Sequence, residues 1–132
     1  MEKACLFCDL QKGERERIVS ENALAYVVRD GFPVVEGHSL VIPKRHTLDY
    51  FGLSSDEVIA VNELIAQQRR VLLDLDSKIE GFNIGMNCGE VAGQSVWHCH
   101  VHLIPRRRGD TPYPKGGVRH VIRYEGNYED LK

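Results

Sequence analysis

Three histidines stand at every second position, His98, His100 and His102, with Cys99 and Val101 between them and Leu103 after them. In an extended strand successive side chains point to opposite faces. This spacing therefore gathers the three imidazoles on one face and sends Trp97, Cys99, Val101 and Leu103 to the other. Imidazole titrates near neutrality, attacks electrophiles and ligates metals, so such a row is a candidate active site. Just upstream, Gly89 and Gly93 allow backbone amides close to an anion, and Gln94 and Ser95 add side-chain donors. Donors beside a neutral imidazole suit attack on phosphorus. They hold the non-bridging oxygens while one ring nitrogen attacks, and a hydrogen bond to the other fixes the tautomer. A set of hydrogen-bonded surface histidines and a plain metal site are the competing readings of the strip.

A second constellation is Cys5-x-x-Cys8. A redox pair of this kind normally sits within a βαβ pattern, which this chain lacks. As half of a tetrahedral zinc site it needs two further ligands, and an empty reduced pair is the third reading. Cys88 and Cys99 read as small core residues. Arg106, Arg107 and Arg108 form a charge run that either contacts phosphate or is a solvated strand exit.

The elements that must position these groups are short. Residues 5–12 read as a brief helical turn, followed by a charged loop over 13–17. Residues 23–28 and 38–43 read as strands, with a turn at Asp30-Gly31-Phe32-Pro33 between them. Ser54-Ser55-Asp56-Glu57 is a capping box, and Val58, Val61, Leu64, Ile65, Leu72 and Leu75 recur at helical spacing to about Lys78, with Gly81 as terminator. Residues 82–87 alternate as a strand with Asn83 and Asn87 on one face. The histidine strand closes at Pro105, and residues 111–117 are irregular. Short strands in series around one long helix predict an α+β fold with an antiparallel sheet.

The 132 residues fit one domain spanning 1–132. Seventeen Lys and Arg against nineteen Asp and Glu leave a net charge of -2, which argues against general binding of nucleic acid or anionic membrane. No apolar run approaches the roughly 20 residues of a membrane span, and the start of the chain lacks a signal peptide's apolar stretch. A cytoplasmic location and reduced cysteines are the expectation.

Gly93-Gln94-Ser95-Val96-Trp97-His98-Cys99-His100-Val101-His102-Leu103-Ile104 resembles the His-apolar-His-apolar-His-apolar-apolar signature of the histidine triad (HIT) family of nucleotide hydrolases and transferases. The segment from Gly37 through His38 and Pro43 to His46 is similar to that family too, as is Cys5-Leu6-Phe7-Cys8. The resemblance implies an antiparallel sheet of about five strands with one long and one short helix, paired as a homodimer. It implies that His100 attacks the α-phosphorus of a nucleotide to form a nucleotidyl-histidine, from which water releases the monophosphate. By the same resemblance His102 and His38 surround the phosphate, Gln94 and Ser95 bind phosphate and leaving group, and Asp30 and Asn87 contact ribose and phosphate. His46 and His98 would complete a structural Cys2His2 zinc site with Cys5 and Cys8. Residues 102–110 are similar to dinucleoside polyphosphate hydrolases and residues 43–46 to nucleoside phosphoramidases. The implied function is hydrolysis of a diadenosine polyphosphate-like purine dinucleotide. The alternatives are an adenosine phosphoramidase and a nucleotide-binding interaction module with little turnover.

Overall fold

The computed structural model describes residues 4–122 and Gly126. Helix α1 (Leu6–Gly13) comes first, then strands β1 (Ile18–Glu21), β2 (Ala25–Arg29) and β3 (Ser39–Pro43), the long helix α2 (Ser55–Leu75), and strands β4 (Ile79–Gly85) and β5 (Val101–Arg107). The five strands form one antiparallel sheet in the order β1-β2-β3-β5-β4. The α+β expectation holds. Among the described residues no helix is long and apolar enough to cross a membrane.

Strands β2 and β3 are buried on both faces because a helix covers each side. Ala25, Val27, Val41 and Val101 pack under Ala60, Val61 and Leu64 of α2. Tyr26, Val28, Leu40 and Ile42 face the other way, onto Phe7 and Leu10 of α1. An isolated helix as short as α1 is marginal, so its order depends on this packing. Full burial of Leu10 alone contributes about 1.5–3 kcal/mol. Leu40 lies opposite His102 in the β3–β5 register, which puts His102 on the α1 side of the sheet. The long helix thus takes one face and leaves the other to the histidines.

The capping box is present in both directions: the Glu57 amide donates to Ser54 Oγ at 3.2 Å and the Ser54 amide to Glu57 Oε1 at 2.9 Å. Helix α2 stops at Leu75 rather than Lys78 because Asp76 caps it and turns its carboxylate to the Lys78 amide and the Arg107 guanidinium. Strand β4 accordingly begins at Ile79. Gly81 ends no helix; it marks a register shift inside β4. Asn87 falls beyond the end of β4, so it does not share a strand with Asn83.

Strand β1 falls on residues the sequence pattern did not assign. The histidine strand also differs from expectation: regular pairing starts only at Val101, leaving His98 in a bend over 96–98 and His100 in irregular chain just before the strand. It then runs through Pro105 to Arg107. Pro105 is tolerated because β3 pairs with β5 only as far as Leu103, so no ladder bond is asked of its missing N–H on that side.

Candidate active site and metal centre

His98 is buried at the start of the histidine row. Its Nε2 lies 2.8 Å from the Pro43 carbonyl, and since a carbonyl only accepts, that nitrogen carries the hydrogen. The Nδ1 lone pair is left facing two sulfurs, 3.3 Å from Cys5 Sγ and 3.6 Å from Cys8 Sγ. His46 Nδ1 sits 3.6 Å from Cys8 Sγ. All four ligand atoms lie within 4.8 Å of one another. In a tetrahedral zinc site, metal–sulfur bonds of about 2.3 Å and metal–nitrogen bonds of about 2.0–2.1 Å put S and N about 3.6 Å apart. The donor set fits such an ion in chemistry and spacing. Partial burial and the neighbouring Cys5 sulfur push the Cys8 thiol up to about 11, so a cation is what would hold it as thiolate. The Pro43 carbonyl behind His98 is the outer partner that fixes a metal-binding imidazole.

The loop bearing His46 is anchored from the side. Arg45 donates to both oxygens of buried Glu57, at 2.7 and 3.1 Å, and to the Gly52 carbonyl. Glu57 therefore serves the capping box and this loop together, and the Arg45 hydrogen bonds hold its carboxyl down at about 2.

His100 has the opposite arrangement. Its Nδ1 donates to the His98 carbonyl at 2.9 Å, which leaves Nε2 as the free lone pair. Phe7 packs edge-on against both rings, with centroids 5.7 Å from His98 and 5.1 Å from His100. The Phe7 position inside the Cys-x-x-Cys gives it no chemical signature, and its packing against His98 and His100 was not legible.

His102 ends a hydrogen-bonded chain. The Val34 amide donates to His38 Nδ1 at 3.1 Å, so the His38 hydrogen is on Nε2 and points to His102 Nδ1 at 2.9 Å. The His102 hydrogen must then lie on its own Nε2, beside His100, whose ring centroid is 5.2 Å away. Asp30 Oδ2 stands 3.5 Å from His38 Nε2, and the Phe32 amide donating to Asp30 Oδ1 sets its orientation. Asp30, His38 and His102 converge closely enough to resemble a second metal site. The Val34 amide argues otherwise, since a metal on His38 Nε2 would demand a hydrogen on the nitrogen that this amide already occupies. Burial pushes His38 below its usual value and His102 down to about 4, so both are neutral near pH 7.

The glycine loop is held by Gln94, which is buried. Its Oε1 accepts from the Gly89 amide, and its Nε2 donates to the carbonyls of Leu48 and Val96 at 2.7 and 3.1 Å. The acceptor and one donor are thus committed to the backbone around the glycine loop, at Gly89 and Val96, and the other donor ties that loop to Leu48 in the segment after His46. Gly89 and Gly93 take φ of 99° and 98°, a region that favours glycine. Asn87 packs over Gly93, and Ser95 is exposed at the end of the loop. Cys99 is buried, but Cys88 is only half-buried, so the core reading of Cys88 is corrected. The three arginines all meet acids: Arg106 with Asp110, Arg107 with Asp76 and Arg108 with Glu80.

Comparison with known proteins agrees with this geometry. The HIT domain family matches residues 11–109. The chain belongs to the HIT family. A HIT-like protein of Mycoplasma genitalium is 39% identical over 104 residues, covering 78% of this chain and 73% of its own length. An adenosine 5'-monophosphoramidase of Candida albicans is 34% identical over 108 residues, covering 79% and 71%. A zinc-bound histidine triad family protein from Mycobacterium smegmatis superposes with a TM-score of 0.74 at 32% identity, covering 82% of this HIT chain and 78% of that one.

Proposed function

We propose that this HIT protein hydrolyses a nucleotidyl linkage through a covalent intermediate on His100. The observation that carries the reading is the hydrogen bond from His100 Nδ1 to the His98 carbonyl, which leaves the Nε2 lone pair free to act as a nucleophile. The Nε2 lone pair attacks the α-phosphorus. The bond from phosphorus to the leaving group breaks, and that group departs with the electron pair. The ring is then cationic, and its Nδ1–H stays on the His98 carbonyl. Water next attacks phosphorus, the P–N bond breaks with its electron pair returning to Nε2, the water's proton passes to solvent, and the nucleoside monophosphate leaves with His100 restored. His102, with its hydrogen on Nε2, donates to the phosphate oxygens or the leaving group. Gln94 shapes the loop whose amides receive the phosphate, Ser95 and Asn87 contact it, and Asp30 binds ribose.

The substrate we favour is a diadenosine polyphosphate, as the residues after the triad suggest. The second reading is an adenosine phosphoramidate, which the activity of the Candida albicans relative favours. Zinc on Cys5, Cys8, His46 and His98 is structural in this proposal: when bound, it staples α1 and the His46 loop to the start of the histidine row. A homodimer through β4 belongs to the same reading. That strand closes one end of the sheet, and its Ile84 is half-exposed.

The test is product analysis with diadenosine tetraphosphate and adenosine phosphoramidate, each with wild type and His100→Ala. AMP release that falls about a thousand-fold or more in the variant, with the fold retained, is the expected result. A variant that keeps its rate would remove His100 from the role.

A further inference from the structure

A second compartment opens on the histidine face, past the relay. About 1080 Å³ of space is walled by Val34, Val35, Ile104, Pro112, Tyr113 and Val118, among others. Ile104 is two residues beyond His102 on the same face of β5, about 7 Å along the strand. Val34 lines the space and also carries the amide that holds His38. The two sites therefore share a wall.

The polar groups of this cavity say what it suits. Arg106 donates Nε and one terminal nitrogen to Asp110 and the other to Asn83 Oδ1 at 2.6 Å. Its charge is matched within the protein, so it is poorly placed to receive phosphate. The same contact orients Asn83: the oxygen takes the guanidinium, and Nδ2 turns towards Gly117, 3.3 Å from where a side chain there would begin. Thr111, Lys115 and His120 add polar groups on the side of the following loop, where His120 Nε2 lies 2.7 Å from the Lys115 carbonyl. Valine, proline and tyrosine walls with the Asn83 amide donor and these few polar groups suit a flat ring carrying acceptor nitrogens or a carbonyl.

We infer that this cavity receives the nucleoside of the leaving group when the substrate is a dinucleoside polyphosphate. The inference rests on the nucleotidyl-hydrolase reading and deepens it. His100 and Ile104 are four residues apart, about 13 Å of extended chain. A bridge of several phosphates spans that gap, whereas the amine of a phosphoramidate leaves the cavity empty. The departing nucleoside polyphosphate carries its base away from this compartment after the P–O bond at His100 breaks.

Two variants test it without touching the catalytic groups. Val118→Trp fills the cavity from a position that is 62% exposed. Asn83→Asp keeps the acceptor for Arg106 and removes the donor. Steady-state kinetics on diadenosine tetraphosphate should show KM raised about tenfold in each, with kcat nearly unchanged. Parameters for adenosine phosphoramidate should stay within about twofold of wild type in the same preparations. An unmoved tetraphosphate KM would overturn the subsite while wild-type turnover still upholds the hydrolase. Equal rises for both substrates would overturn it too, by assigning the variants' effect to the shared wall at Val34. Wild type that releases AMP from neither substrate would remove the hydrolase reading itself, and this subsite with it.

Discussion

His98 and His102 leave the same short run of chain, yet the backbone around them gives them opposite work. The Pro43 carbonyl accepts the hydrogen of buried His98 Nε2 and turns Nδ1 towards two half-buried sulfurs. The Val34 amide, acting through His38, takes the lone pair of His102 Nδ1 and leaves its hydrogen on Nε2. One end of the row offers a lone pair to the cysteine cluster and the other carries a hydrogen on its outer nitrogen. Between them His100, bonded to a carbonyl through Nδ1, keeps a nucleophilic nitrogen free. Residue type is identical at all three positions, so the tautomer set by backbone partners decides which nitrogen each ring offers.

The contrast can be broken at either end. The largest effect on the fold should come from the cation end. Cys8→Ala, or a strong chelator on wild type, should lower the thermal midpoint by roughly 10 °C or more, because metal binding at such a site is coupled to folding. Metal content and circular dichroism would check this, and an unchanged midpoint would show that the cluster carries no stabilising ion.

At the donor end, His38→Ala should leave the midpoint nearly in place and reduce kcat about a hundred-fold, since the hydrogen on His102 is no longer directed. A loss confined to KM would reassign His38 to binding. Gln94→Ala should have a smaller effect, about tenfold on kcat/KM, because the carbonyls of Leu48 and Val96 lose their donor and the loop loosens.

The smallest effect is on stability with pH. His102 is held at about 4 by burial and by the neighbouring His100 and His38, and burial also lowers His38. The unfolded chain takes up protons on such groups below about pH 6.5, the ordinary histidine value, while the folded chain resists until about pH 4. Their contribution is whole above pH 6.5 and is lost as pH falls towards 4. Thermal midpoints at pH 7, 5.5 and 4 should therefore decline, and His102→Asn should flatten part of that slope. A slope identical in the variant would take His102 out of the account.

Much of the molecule was legible where one residue type has one local meaning. Ser54 and Glu57 announce a capping box, and both of its bonds form. Strand β1 was not legible: it is four residues long at the edge of the sheet, and although its positions alternate between half-buried and exposed, its residues run apolar-apolar-polar-polar, Ile18-Val19-Ser20-Glu21. Gly81 carried the same signal as a helix stop and turned out to mark a register shift inside β4, because Asp76 had already ended α2. At the site, the sequence indicated which histidines gather but not which nitrogen each one offers. That information lies in the main-chain groups of Val34, Pro43 and His98, whose placement depends on tertiary packing. Gln94 illustrates the same limit, since only its neighbours reveal that its amide holds the loop together.

The carboxylate of Glu57 joins two parts of the chain that a diagram would draw separately. It closes the first turn of α2 and grips Arg45, the residue next to His46. A loop excursion that carries His46 away from the sulfurs also pulls on Arg45 and on the Ser54 amide. Displacement of the His46 loop and amide exchange in the opening turn of the long helix therefore draw on one shared carboxylate, and the two are expected to open together.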